Sequence, residues 1–374
     1  YSPEDGSNYV YARPVAVDDK LRANGSGTFY DGVYHFMLYD IWSYYQEWDT
    51  VKWIQLREVE DNSKIFNATD TDYDVITGLS YGCYYNPATD SYEFAAVDYG
   101  TRSKFVRCPC DLYIAVAVNS RGEVYGVKWS DSSLYRIDKT TGKETLVGPT
   151  GMEVGDYLQS ATFDRSNDVM YWACNDVYGE SYLCTVDTET GRATKLAIFS
   201  DREQLSSLYV SEHSLSGTPA ASTALKLEFA KGSLAGDVSF GLPTLTVDGK
   251  ALSGTLDYTV TVNGEEAVSG QADPSAQVRH SLTVPEGFAL VRVVVSNGLG
   301  KGKESTSRQW FGPDTPSPAE GVALSLTGEF CNHAKVTWNA PSGTGIHGGY
   351  VATDQLLYDV VRYPDSLVVA SKIP

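Results

Sequence analysis

Four aromatic residues crowd one short stretch, Asp40-Ile-Trp-Ser-Tyr-Tyr-Gln-Glu-Trp48, and they are Trp42, Tyr44, Tyr45 and Trp48. They are too many to point into one thin core, so the stretch is expected to be a loop inserted between two strands. Exposed Tyr and Trp rings stack on sugars and peptide side chains and anchor binding surfaces. The expected ligand is a glycan or an extracellular protein, and the alternative is a loop that packs back on its own strands. A second stretch, Asp70-Thr-Asp72-Tyr-Asp74, alternates carboxylates as calcium loops do. An EF-hand needs Gly at its sixth position and Glu at its twelfth; Val75 and Tyr81 stand there, which excludes it. A looser calcium site and a solvated turn both remain readings of these carboxylates, and no other cofactor is implied.

The remaining reactive residues form no known catalytic pattern. The histidines are His35, His213, His280, His333 and His347, none at metal-binding spacing, and there is no Gly-x-Ser-x-Gly or His-Glu-x-x-His motif. Cys108-Pro-Cys110 has one intervening residue and lacks the spacing of a zinc site. Cys174 and Cys184 flank one expected hairpin, so they read either as a disulfide across neighbouring strands or as two buried thiols. Plentiful carboxylates leave a glycan-degrading enzyme as an alternative, since such chemistry needs only two at the right separation.

The elements that must position these residues announce themselves by repetition. Residues 112–199 carry one pattern twice: Leu134-Tyr-Arg-Ile-Asp-Lys-Thr-Thr-Gly142 and Leu183-Cys-Thr-Val-Asp-Thr-Glu-Thr-Gly191 align at a spacing of 49. Four short strands per unit at this period are the pattern of a propeller blade. In both Asp-x-x-Thr-Gly turns, Asp and Thr cap the turn and Gly supplies a positive φ, so structure rather than catalysis accounts for them. A more diverged blade begins with a hairpin at Gly27–Tyr30 and Val33–Tyr39 around Asp31-Gly32. Val51–Val59 and Asn62–Asn67 are expected to complete it. Residues 75–110 are a further blade, with Val75–Tyr81 as a strand. Leu205–Val210 resembles the first strand of another unit and is expected to help close the ring.

Residues 1–210 are thus expected to form an all-β, small β-propeller of four to five blades. Residues 211–223 are a Ser/Gly/Pro/Ala-rich linker. Residues 224–312 alternate apolar and polar positions at the strand spacing of an immunoglobulin-like or fibronectin type III sandwich. A proline-rich linker, 313–320, leads to a second sandwich over 321–374 with Trp338 as a core anchor. The chain opens on Tyr1-Ser-Pro, which reads as a processed end, and closes before the last strands a sandwich needs, which reads as a fragment.

The formal net charge of −19 repels phosphate backbones and argues against nucleic acid as a partner. No apolar run reaches the length of a membrane span, so no membrane insertion is expected.

Ala334-Lys-Val-Thr-Trp-Asn-Ala-Pro341 and Leu357-Tyr-Asp-Val-Val-Arg-Tyr-Pro364 resemble early strands of fibronectin type III domains. With His347-Gly-Gly-Tyr350, Thr28-Phe-Tyr-Asp-Gly32, Tyr157–Asp164 and the Asp-x-x-Thr-Gly turns, the chain is similar to secreted Bacteroidetes surface proteins in which a small propeller-like repeat region precedes such domains. Asp49-Thr-Val51 and Asp365-Ser-Leu367 resemble their short O-glycosylation sites. The resemblance implies export and an extracellular or cell-surface location. The reading that results is a non-enzymatic recognition or adhesion protein. A glycan hydrolase or lyase and a structural stalk are its alternatives.

Overall fold

The computed structural model describes residues 23–39, 43–50, 52, 54–61, 66–155, 158–199, 202, 204–210, 216–328 and 333–373. The chain divides into two compact units, Tyr1–Glu212 and His213–Pro374. Among the described residues there is no α-helix.

Among the described residues, the first unit holds four antiparallel sheets of four strands each. Blade one is β1 (Ala23–Tyr30), β2 (Val33–Tyr39), β3 (Ser43–Asp49) and β4 (Ile54–Glu60). Blade two is β5 (Ala68–Asp74), β6 (Leu79–Asn86), β7 (Ser91–Asp98) and β8 (Ser103–Cys110). The duplicated stretch makes the other two. Blade three is β9 (Tyr113–Val118), β10 (Val124–Lys128), β11 (Ser133–Ile137) and β12 (Glu144–Pro149). Blade four is β13 (Ser160–Asp164), β14 (Val169–Asn175), β15 (Ser181–Val186) and β16 (Ala193–Ile198). The first strand of each blade lies innermost, β1 beside β5, β5 beside β9 and β9 beside β13. This is a β-propeller. Burial follows the radius: all of β9 and β10 is buried, whereas β4 is almost wholly exposed. A four-stranded sheet has two faces to cover, and stacking against neighbours covers them.

Hairpin chemistry behaves as the residue types dictate. Asp31 and Gly32 both have positive φ, 51° and 75°, the twisted two-residue turn that matches the twist of its strands. The Asp-x-x-Thr-Gly turns are structural and also interlock blades. Asp138 Oδ1 accepts from the backbone N–H groups of Thr140 and Thr141 at 2.9 and 2.7 Å, and Asp187 Oδ1 from those of Glu189 and Thr190 at 2.8 and 3.1 Å. Those donors hold both carboxyls below their usual range. A Cβ on Gly142 would lie 2.2 Å from Cys108 Sγ of blade two, and one on Gly191 2.3 Å from the Gly148 carbonyl oxygen of blade three. Each turn therefore seats on the outer strand of the preceding blade.

Three strand expectations are corrected. From Ser43 onward the aromatic stretch of blade one is no inserted loop: residues 43–49 are its third strand, and the fourth is Ile54–Glu60. Of residues 62–67, expected as a fourth strand, 62–65 lie outside the described residues, and Phe66 and Asn67 form no strand. Residues 75–78 form a turn, and blade two begins earlier, at Ala68, so Asp70, Asp72 and Asp74 lie on an inner strand rather than in a solvated turn. Residues 205–210 form no strand, yet they do lie between blades one and four. Leu208 N donates to Ser160 Oγ at 2.8 Å, and the Tyr34 hydroxyl donates to the Ser207 carbonyl at 2.8 Å. Cys174 and Cys184 are free, buried thiols: Cys174 stands opposite Tyr182 and Cys184 opposite Trp172, a diagonal two residues out of register.

In the second unit, β17 (Thr223–Phe229), β18 (Ala235–Gly241) and β21 (Gln277–Thr283) form one sheet. The other is β20 (Glu265–Ala272), β19 (Leu256–Val262) and β22 (Gly287–Asn297), with β23 (Gly300–Lys301) and β24 (Ser305–Phe311) both paired to β22. This is the strand order of an immunoglobulin-like sandwich. Its core contains Val238, Phe240, Val260, Val291, Val293 and Val295 without a cysteine. Each such side chain contributes about 1.5–3 kcal/mol on burial. Beyond it, β25 (Glu320–Thr327) pairs with β26 (His333–Asn339) and β27 (Tyr358–Arg362) with β28 (Leu367–Ile373). The linker residue Asp314 clasps the 345–350 loop: its carboxylate accepts from the backbone N–H groups of His347 and Gly349 and from His347 Nδ1, and the imidazole stacks on Trp310 at 4.3 Å.

Gly191→Ala should destabilise the first unit by about 2–4 kcal/mol, the sum of left-handed backbone strain and the clash with Gly148. Urea denaturation followed by tryptophan fluorescence measures this. A loss below about 0.5 kcal/mol would show that the turn does not interlock the blades.

Candidate functional site

Blade one carries the aromatic residues, and strand alternation sorts them. Successive side chains of a strand face opposite ways. Pairing Leu38 with Tyr44, Phe36 with Gln46 and Tyr34 with Trp48 puts these six on one face; pairing Met37 with Tyr45 and His35 with Glu47 puts those four on the other.

Tyr45 faces blade two, where it is buried with Met37, Phe66, Tyr84, Val97 and Tyr99. Its hydroxyl donates to Glu47 Oε1 at 2.9 Å and so accepts from His35 Nδ1 at 2.6 Å. That bond leaves His35 Nε2 the bare nitrogen, and it is buried without a hydrogen-bond partner among the described residues. Burial lowers the His35 pKa to about 4 against the opposing pull of Glu47. Tyr30 stacks on His35 at 4.1 Å and on Tyr73 at 4.1 Å, so the ring column continues into blade two. These rings use their faces on each other, and Tyr45 serves the joint between blades.

Tyr44 and Trp48 face away from blade two. Both are half-buried and pack beside Tyr34, Phe36, Leu38, Phe29 and Tyr209. Trp48 Nε1 donates to Gln46 Oε1 at 2.8 Å, and Gln46 Nε2 donates in turn to Glu58, which fixes the indole on its strand. The expected set of four thus separates: Tyr44 and Trp48 share a partly open face, Tyr45 lies in the core, and Trp42 is outside the described residues. What the arrangement offers is two half-buried rings for stacking, the Trp48 indole held in place by Gln46.

In the sequence, Asp70, Asp72 and Asp74 at the centre of the propeller read as a loose calcium site or a solvated turn, although alternating Asp at period two is also a strand pattern with all carboxylates on one face. Asp70 and Asp74 are fully buried and Asp72 nearly so. Asp70 Oδ2 accepts from Val116 N of β9 at 2.8 Å and Ala161 N of β13 at 2.9 Å; Oδ1 accepts from Ser160 Oγ at 2.8 Å. Asp72 Oδ2 accepts from Val118 N at 2.8 Å, and Oδ1 takes Arg165 Nη2 at 2.9 Å. Asp74 Oδ2 takes Lys139 Nζ at 2.6 Å. Burial raises the pKa of Asp70 well above the usual carboxylate value, and the three donors only partly oppose it; burial also raises Asp72, against Arg165. Among the described residues no three His, Cys, Asp or Glu side chains converge as a metal site.

Fold and site together define a β-propeller protein followed by an immunoglobulin-like sandwich. No family model matches the sequence, and no curated protein matches it. Similar solved structures include TolB from Acinetobacter baumannii, at 12% identity and a TM-score of 0.37, over 61% of this chain and 53% of that one. The match therefore spans about half of the TolB chain. A nidogen/laminin complex is similar at 11% identity and a TM-score of 0.35, over 75% of this chain and 94% of that one. A protein of unknown function from Bacteroides caccae is similar at 12% identity and a TM-score of 0.30, over 62% and 81%.

Asp70 makes a signed pH prediction. Its pKa is raised on folding, so the unfolded chain releases the proton first, and stability should fall as pH rises from about 4 through the folded value. Asp70→Asn removes that titration, so the parent's advantage over the variant should shrink with rising pH. Urea midpoints from about pH 4 to 8 measure it; an advantage that grows with pH would overturn the assignment.

Proposed function

We propose that this is an exported recognition protein, located outside the cell or at its surface, which binds a glycan or an extracellular protein through the open aromatic face of blade one. The sandwiches, read as fibronectin type III-like, act as spacers. The observation that carries this reading is the pair Tyr44 and Trp48, half-buried on a hydrogen-bonded strand with the indole held by Gln46. Rings held this way lose little freedom on binding, so more of the stacking energy appears as affinity. A hydrolase or lyase would require carboxylates at the propeller centre that are available to substrate. Those of Asp70 and Asp72 accept hydrogen bonds from the fold's own donors, which favours recognition over catalysis.

A glycan array and a panel of extracellular-matrix proteins, probed with the full chain, test the proposal. Tyr44→Ala/Trp48→Ala should weaken the parent's binding by at least about tenfold in a protein that still unfolds in one cooperative transition, at a Tm lowered by the lost packing. A folded double variant that binds as the parent does would reject the site.

A further inference from the structure

Blade two brings together cysteines that are distant in sequence. Cys83 is fully buried on β6, and Cys110 is a half-buried residue at the end of β8. Their sulfurs lie 3.9 Å apart. A disulfide bond is about 2.05 Å long, so closing one asks the two side chains to share a movement of about 2 Å. Cys108, two residues from Cys110, is engaged elsewhere: its sulfur lies 3.7 Å from the Gly142 carbonyl of blade three.

We propose that Cys83 and Cys110 are a redox pair that closes to a disulfide on exchange with an external disulfide such as oxidised glutathione, locking blade two at its exit into blade three. The geometry assigns the roles. Cys110 is the more exposed residue of the pair and takes the attacking role, and the buried Cys83 is the resolving one. Burial pushes the Cys83 thiol up, but donors led by the Cys110 S–H and the Tyr113 N–H outweigh it and leave it lowered. Cys110 is raised, first by the bond it gives to Cys83 and then by burial. Cys110 passes its proton along its hydrogen bond to the Cys83 sulfur and attacks one sulfur of oxidised glutathione; the glutathione thiolate released takes that proton, which leaves Cys83 a thiolate. The Cys83 thiolate then attacks the Cys110 sulfur of the mixed disulfide, and the second glutathione leaves. Two protein thiols are oxidised by two electrons, and one glutathione disulfide is reduced to two glutathiones. Exported proteins meet oxidising surroundings in which such a bond persists.

The test uses the full chain, incubated with oxidised or reduced glutathione, then denatured, alkylated and mapped by mass spectrometry without reduction. The oxidised sample should contain a Cys83–Cys110 cross-link, with Cys108, Cys174 and Cys184 alkylated. Its Tm should rise by roughly 5–10 °C. Cys108→Ser should keep both effects, and Cys110→Ser should lose both. Alkylated Cys83 and Cys110, a persistent glutathione adduct on Cys110, or a bond to Cys108 would overturn the pairing. A cross-link without a rise in Tm would overturn the lock.

Discussion

The Asp70 carboxylate sits where three inner strands meet, and its hydrogen bonds tie them together. It belongs to β5, takes an N–H from β9 and takes an N–H and a hydroxyl from β13. Inner strands of neighbouring blades do not share a sheet, so their innermost N–H groups need partners from elsewhere. Alternating aspartates supply them. Asp72 repeats the arrangement two residues on, toward Val118, and Asp74 binds Lys139. The cost is three buried carboxylates, and Arg165 and Lys139 offset two of them. Asp70 is held instead by two backbone N–H groups and a hydroxyl, which explains why burial dominates its proton affinity.

The same carboxylate reaches the closing segment through one side chain. Ser160 Oγ donates to Asp70 and accepts from Leu208 N, while Tyr34 of blade one holds the carbonyl of Ser207. Residues 205–210 thereby bridge blades four and one without forming a strand. Around the rim a different device acts: the Asp-x-x-Thr-Gly turn of each repeated blade seats its glycine on the blade before. Hub and rim together hold sheets that have no backbone ladder in common.

Where the propeller departs from regular repetition, its side chains change character. Blade one has rings on both faces of β3. One face is spent on the joint to blade two, through the chain Glu47–Tyr45–His35. The other packs against Tyr209 of the closing segment, and Tyr44 and Trp48 remain partly open there. The joint between blades and the partly open aromatic face thus share one strand, separated by its alternation.

The residue pattern by itself determined the all-β class, the repeated blades, the hairpin at Asp31-Gly32, and the structural role of the Asp-Thr-Gly turns. These are local: a turn's φ angles and a strand's period are set by neighbouring residues. The rest was decided between elements. Four clustered aromatics read as a loop because one thin core cannot take them all, yet the two opposite faces of β3 divide Tyr44, Tyr45 and Trp48 between them. Asp70, Asp72 and Asp74 read as a solvated turn because their partners are remote in sequence. From Asp70, Val116 is 46 residues away and Ala161 is 91; Lys139 is 65 from Asp74. Cys83 and Cys110 meet only because the chain leaving β8 passes back over blade two. Contacts of that range depend on how the blades stack, and no spacing in the sequence encodes the stacking.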